Sequence, residues 1–129
     1  MASRLGMQDD EPPVLSAEDL VERYLARHGA TDLEAVVALF ADDATLEDPV
    51  GAPAVRGREA IRAFYRSTHA RNGRLGFERI GRLLVAGDEL ALHVRARLER
   101  EPDAPGVDVI YTLRLDPGDL RIRALRAYF

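Results

Sequence analysis

Leu90-Ala91-Leu92-His93-Val94-Arg95-Ala96-Arg97-Leu98-Glu99 alternates apolar and polar side chains over ten residues. A period of two is the signature of a strand with one buried face. The run Val107-Asp108-Val109-Ile110-Tyr111-Thr112-Leu113-Arg114-Leu115 repeats it and groups Tyr111 with Val107, Val109, Leu113 and Leu115. Asp116-Pro117-Gly118-Asp119 then supplies hairpin-turn chemistry, and residues 120–129 read as the closing strand. Strand character begins at Gly73.

Upstream of Gly73 the period is helical. Ser16, with Asp19 three residues on, marks a capped helix start. Leu20, Val21, Tyr24, Leu25 and His28 form its apolar stripe, and Gly29 ends it. His28 sits at that helix C-terminus, where the dipole favours a cation. Thr31 with Glu34 repeats the capping pattern before a short helix with Leu33, Val36, Val37 and Phe40 on its stripe. A third helix over about 58–68 puts Ile61, Phe64, Tyr65 and Thr68 on one face. Helices first and a meander of long strands afterwards is an α+β order. The expected architecture is a curved antiparallel sheet with three N-terminal helices enclosing a pocket. One domain spans 16–129. Residues 1–15, MASRLGMQDDEPPVL, are acidic, proline-containing and aperiodic, and read as a disordered extension.

Composition excludes several function classes. The net charge of -4 and the interspersed arginines argue against a nucleic-acid partner. All 18 basic residues are arginine and cysteine is absent, which removes lysine Schiff bases, thiol nucleophiles and sulfur-ligated zinc. No apolar run approaches a membrane span and the N-terminus lacks a signal-peptide pattern, so the expectation is a cytoplasmic protein with no membrane contact. There is no phosphate-binding glycine loop, dinucleotide fingerprint or zinc-protease helix, and no cofactor or metal is expected. His28, His69 and His93 are scattered, and Ser3, Ser16 and Ser67 offer no nucleophile constellation.

One short strand carries the chemistry. In Ala44-Thr45-Leu46-Glu47-Asp48-Pro49-Val50, alternation puts Ala44, Leu46 and Asp48 on one face and Thr45 and Glu47 on the other. Asp48 therefore points inward with apolar residues, as do Tyr24, Tyr65 and Tyr111. Taken alone, Asp48 fits equally well as a strand-end acid held by backbone hydrogen bonds. A carboxylate with phenols is also a sufficient kit for moving a proton beside a carbonyl: the acid abstracts it and an O–H donor stabilises the enolate.

Val37 to Gly51, VALFADDATLEDPVG, is similar to the signature of the ketosteroid isomerases, within the nuclear transport factor two-like and SnoaL-like superfamily. The helix-one tyrosine, the Asp-Pro-Val-Gly turn, Gly57-Arg58-Glu59-Ala60-Ile61 leading to Phe64-Tyr65, and the last two strands fit the same pattern over residues 17–129. The resemblance implies a cystatin-like cone, a small hydrophobic substrate and a homodimer. It implies an isomerase that moves a double bond of a 3-oxo-Δ5-steroid or similar ketone through a dienolate. Asp48 matches the proton-shuttling base, Tyr24 the main oxyanion donor and Tyr65 a phenol supporting it. Phe129 matches an aromatic near the base, and Val50, Phe64, Leu98 and Leu125 fall at pocket positions. The chain departs from the family at Tyr111, where the family is itself the standing example of an aspartic acid kept protonated. Tyr111 either replaces that acid as a catalytic donor, or fills the pocket and changes the substrate, or is a core aromatic whose hydroxyl reaches solvent. Two alternatives stand beside the isomerase. One is a polyketide-tailoring cyclase or epoxide hydrolase, which requires a second acid, with Glu78 the nearby candidate. The other is a non-catalytic hydrophobic ligand-binding domain.

Overall fold

Helices α1 (Ala17–Gly29), α2 (Leu33–Val37) and α3 (Arg58–Asn72) pack against a six-stranded sheet in the computed structural model, which describes residues 12–129. Of the N-terminal extension, residues 1–11 lie outside the described residues. The strands are β1 (Phe40–Glu47), β2 (Val55–Arg56), β3 (Leu75–Ala86), β4 (Glu89–Leu98), β5 (Val107–Leu115) and β6 (Ile122–Tyr128). Their order across the sheet is β2-β1-β6-β5-β4-β3.

The start of α1 forms as its sequence requires. Ser16 Oγ accepts the Asp19 amide at 3.0 Å, and Asp19 Oδ2 accepts the Leu15 amide at 3.0 Å. Two N-terminal donors are thereby satisfied. Arg23 holds the segment leading in, donating to the carbonyls of Pro12 and Pro13. All five stripe residues of α1 are buried. Gly29 is required where the helix ends: a Cβ there would lie 2.6 Å from the Leu75 carbonyl oxygen, so β3 passes too close for any side chain.

The second capping box does not form. Asp32 is the N-cap of α2, and no side chain caps it. The chain reverses from α1 into α2 through Thr31, which adopts φ 57°, and the Thr31 hydroxyl turns back to donate to the Ala30 carbonyl. The tight reversal spends the hydroxyl that the pattern reserved for the helix. The third helix runs on to Asn72, a turn beyond its apolar stripe, and stops at Gly73 with φ 69°.

The sheet is antiparallel at four of its five strand pairings, but β1 runs parallel to β6. Alternation fixes which residues share a face, not the direction of the neighbour. A parallel pair needs a long crossover, and here α3 and the β3–β5 meander provide one. The side chains of Phe40, Leu46, Ile61, Ile122 and Leu125, all fully buried, form the core between α3, β1 and β6. No helix among the described residues is long and apolar enough to cross a membrane.

Candidate active site

A cavity of about 660 Å³ opens between the sheet, α1 and α3. That volume is in the range of small-molecule sites. Asp48 and Pro49 enter it from the end of β1, Phe64 and Thr68 from α3, Tyr111 from β5 and His28 from α1. Leu98 and Phe129 contribute apolar wall, although Phe129 is 65% exposed.

Asp48 follows the last residue of β1, and its peptide bond to Pro49 is cis. Burial pushes its carboxyl up to about 6, from an ordinary value of 3.8. The positive charge of Arg71 opposes that rise without cancelling it. Desolvation therefore dominates over charge attraction, which is the state a carboxylate base at neutral pH requires.

The three tyrosines converge. The hydroxyls of Tyr24 and Tyr65 lie 2.8 Å apart, and both side chains are essentially inaccessible to solvent. Tyr111 packs its ring edge-on against Tyr24, with centroids 5.5 Å apart at 78°. Tyr111 lies on the cavity wall, whereas Tyr24 and Tyr65 sit behind it. Burial raises all three phenol pKa values, and the negative charge of Asp48 adds to each. The phenols stay protonated and are available as donors. The hydroxyl of Tyr111 does not reach bulk solvent, since the residue is 4% exposed.

Two sequence-predicted wall residues lie elsewhere. Val50 lies against β6 just past the end of β1, and its amide donates to the Ala127 carbonyl at 2.8 Å. Leu125 is a core residue of β6, opposite Leu46 and Leu113. Both positions rest on the family resemblance, which does not separate a pocket wall from the packed layer beside it.

Other residues line the cavity without having been singled out. His28 was expected to be charged at a helix end, but it is 4% exposed and faces the cavity. Burial lowers its pKa to about 4, and His69 adds to the effect, so the imidazole is neutral. The stripe position of His28 was legible; the outcome was decided by Tyr65, His69 and Phe77 packing over it. Arg71, Asn72 and Glu101 also contribute to the wall. Glu78 does not: it faces Arg95 and Arg97 at 3.8 Å. Among the described residues, no three His, Asp or Glu side chains converge as metal ligands would.

The SnoaL-like domain family matches residues 21–123. A steroid Delta-isomerase from Nocardioides simplex is 36% identical over 113 residues, which cover 84% of this chain and 85% of that protein. Among solved structures, SalBIII, an epoxide hydrolase/cyclase-like enzyme with a role in pyran ring formation in the polyether salinomycin, matches with a TM-score of 0.69 and 26% identity. That match covers 86% of this chain and 88% of SalBIII.

Proposed function

The chain belongs to the SnoaL-like family, in the ketosteroid isomerase group, and from that premise we propose that it shifts a carbon–carbon double bond of a 3-oxo-Δ5-steroid or a similar flat hydrophobic ketone. One observation carries the reading: a buried carboxyl, Asp48, with its pKa raised to about 6, shares an apolar cavity with a phenol backed by two others. The Asp48 carboxylate takes a proton from the carbon between the carbonyl and the double bond. The electrons move onto the carbonyl oxygen, and the neutral Asp48 returns the same proton to the far end of the dienolate. A conjugated enone leaves and the base is regenerated.

The dienolate oxygen needs a preorganised donor. Resemblance assigns that contact to Tyr24. The position of Tyr111 in front of it supports giving the contact to Tyr111, with Tyr24 and Tyr65 polarising it from behind. The test is to follow enone formation from 5-androstene-3,17-dione by its ultraviolet absorbance.

The likeness to SalBIII favours a second reading, epoxide opening or cyclisation. That chemistry requires an acid working opposite Asp48. Glu101 is the other carboxylate on the wall, and it is exposed. An epoxide-opening activity lost equally in Glu101→Gln and Asp48→Asn would establish this reading over the first.

The isomerase reading also carries a homodimer. Ile110 and Tyr128 are cross-strand partners on the outer face of the sheet, 40% and 38% exposed, and they supply apolar surface for a two-fold contact. Light scattering at micromolar concentration separates a dimer from a monomer.

A further inference from the structure

Helices α1 and α3 are joined across the cavity floor by two polar rungs. The first is the contact between the Tyr24 and Tyr65 hydroxyls at 2.8 Å. The second is between His28 Nδ1 and His69 Nε2 at 3.2 Å, with the rings stacked at 28° and 5.4 Å between centroids. Each residue of the second rung lies four positions after its counterpart in the first. The two rungs are therefore about 6 Å apart along the helices. The isomerase reading employs the tyrosine rung and leaves the histidine rung without a task.

The proton positions follow from satisfaction. His69 Nδ1 is buried and has no hydrogen-bond partner among the described residues. If His28 Nδ1 donated to His69 Nε2, the proton of His69 would sit on Nδ1 as a buried N–H with no acceptor. Unpaired buried N–H groups are rare because nothing repays their desolvation. With the reverse arrangement, His69 Nε2–H donates to His28 Nδ1, and no buried N–H is orphaned. His28 then carries its own proton on Nε2. That nitrogen has no partner among the described residues and is not a fully buried atom, so it opens on the cavity that the ring lines. Burial keeps the imidazole neutral, outweighing a hydrogen bond to the residue's own backbone that raises its pKa, so Nε2–H is the ring's donor while Nδ1 accepts from His69.

We propose that His28 Nε2–H is a specificity-determining donor, oriented by His69, and that the substrate carries a second acceptor oxygen about one ring away from the reacting carbonyl, because His28 lies one helical turn along α1 from the tyrosine that backs the Tyr111 donor. The proposal rests on the isomerase reading only for the position of that carbonyl. A plain steroid skeleton leaves the donor unpaired, which raises KM for it without abolishing turnover; a ring oxygenated on both sides satisfies it. His28 touches the ligand, and His69 acts through His28 as a positioning residue.

The test measures binding, not turnover. The probes are 4-methoxy-1-naphthol and 4-ethyl-1-naphthol, titrated calorimetrically. The naphthol oxygen stands for the enolate oxygen, and the methoxy oxygen lies across one ring from it. The ethyl group has the same shape without the acceptor. Wild-type protein is expected to prefer the methoxy compound by about tenfold, the effect of one hydrogen bond. His28→Phe should abolish the preference, His69→Phe should reduce it, and His69→Gln, which retains a donor for His28 Nδ1, should restore most of it. Nitrogen-15 spectra of the wild-type histidines should show the Nε2–H tautomer for His28. Equal wild-type binding of the two naphthols, or the Nδ1–H tautomer at His28, overturns the proposal without any variant having to fold. Enone formation from the steroid is scored separately. An active isomerase with no naphthol preference sinks this inference alone, and a clear preference in a protein inactive on the steroid sinks the isomerase reading alone.

Discussion

The hydroxyls of Tyr24 and Tyr65 meet at 2.8 Å across α1 and α3, behind a third phenol, Tyr111, that faces the cavity. A phenol whose neighbours hydrogen-bond to it becomes a better donor as charge develops on the ligand, because chained bonds polarise one another.

This arrangement ranks three conservative variants. Tyr111→Phe removes the donor on the wall and is expected to cost roughly a hundred- to thousandfold in kcat, as for one preorganised donor. KM should change less, since the bond strengthens as the oxygen gains charge. Tyr24→Phe should cost less than Tyr111→Phe, and Tyr65→Phe least. Steady-state kinetics of all three decide the order; a loss greatest in Tyr24→Phe gives the direct contact to Tyr24 instead.

The raised pKa of Asp48 predicts a pH profile. The base acts only when ionised, so kcat/KM should rise with pH and level off above a midpoint near 6. Moving Arg71's charge should move that midpoint. Arg71 lowers the Asp48 pKa, so Arg71→Gln should shift the profile to higher pH. A midpoint near 4, or one indifferent to Arg71, would mean that Asp48 is hydrated and not the group being titrated.

Stability carries the same sign. The folded-state pKa of Asp48 lies above its unfolded value, so between about pH 4 and 6 the native state binds more protons than the unfolded chain. The contribution of Asp48 is favourable below that window and is lost as pH rises through it. Asp48→Asn should therefore raise unfolding stability at pH 8 by roughly 2 kcal/mol relative to its effect at pH 4. His28 works in the opposite direction: its pKa is lowered to about 4, so its contribution is lost as pH falls from about 6.5. Urea denaturation of Asp48→Asn at the two pH values isolates the first term from the second.

Gly29→Ala is the control for the frame that holds both rungs. The new Cβ would meet the Leu75 carbonyl oxygen at 2.6 Å, and a backbone atom yields less readily than a side chain. A destabilisation of about 1–3 kcal/mol is expected from such overpacking. An unchanged urea midpoint would show that α1 is free to shift away from β3.

What the sequence revealed follows what periodicity encodes. Alternation in residues 107–115 put Tyr111 inward, helical spacing put Tyr24, His28 and Tyr65 on buried stripes, and the strand ending at Pro49 aimed Asp48 at the cavity. Each of these is a one-dimensional statement about a face. The parallel β1–β6 pairing, the spent hydroxyl of Thr31 and the departure of Val50 and Leu125 from the wall depend on which elements meet. His28 shows the boundary most clearly. Its place on the stripe was readable, but its neutral state is set by three rings from α3 and β3. Local position at a helix end argued for a cation, and tertiary burial reversed it.

Whether Asp48 shuttles the proton is read most directly by ultraviolet detection of the conjugated enone formed from 5-androstene-3,17-dione by wild-type protein and by Asp48→Asn. Steady enone formation by the wild type and a loss of several orders of magnitude in the variant are expected, with the variant still folded by circular dichroism. Equal rates in the two proteins would contradict that role of Asp48.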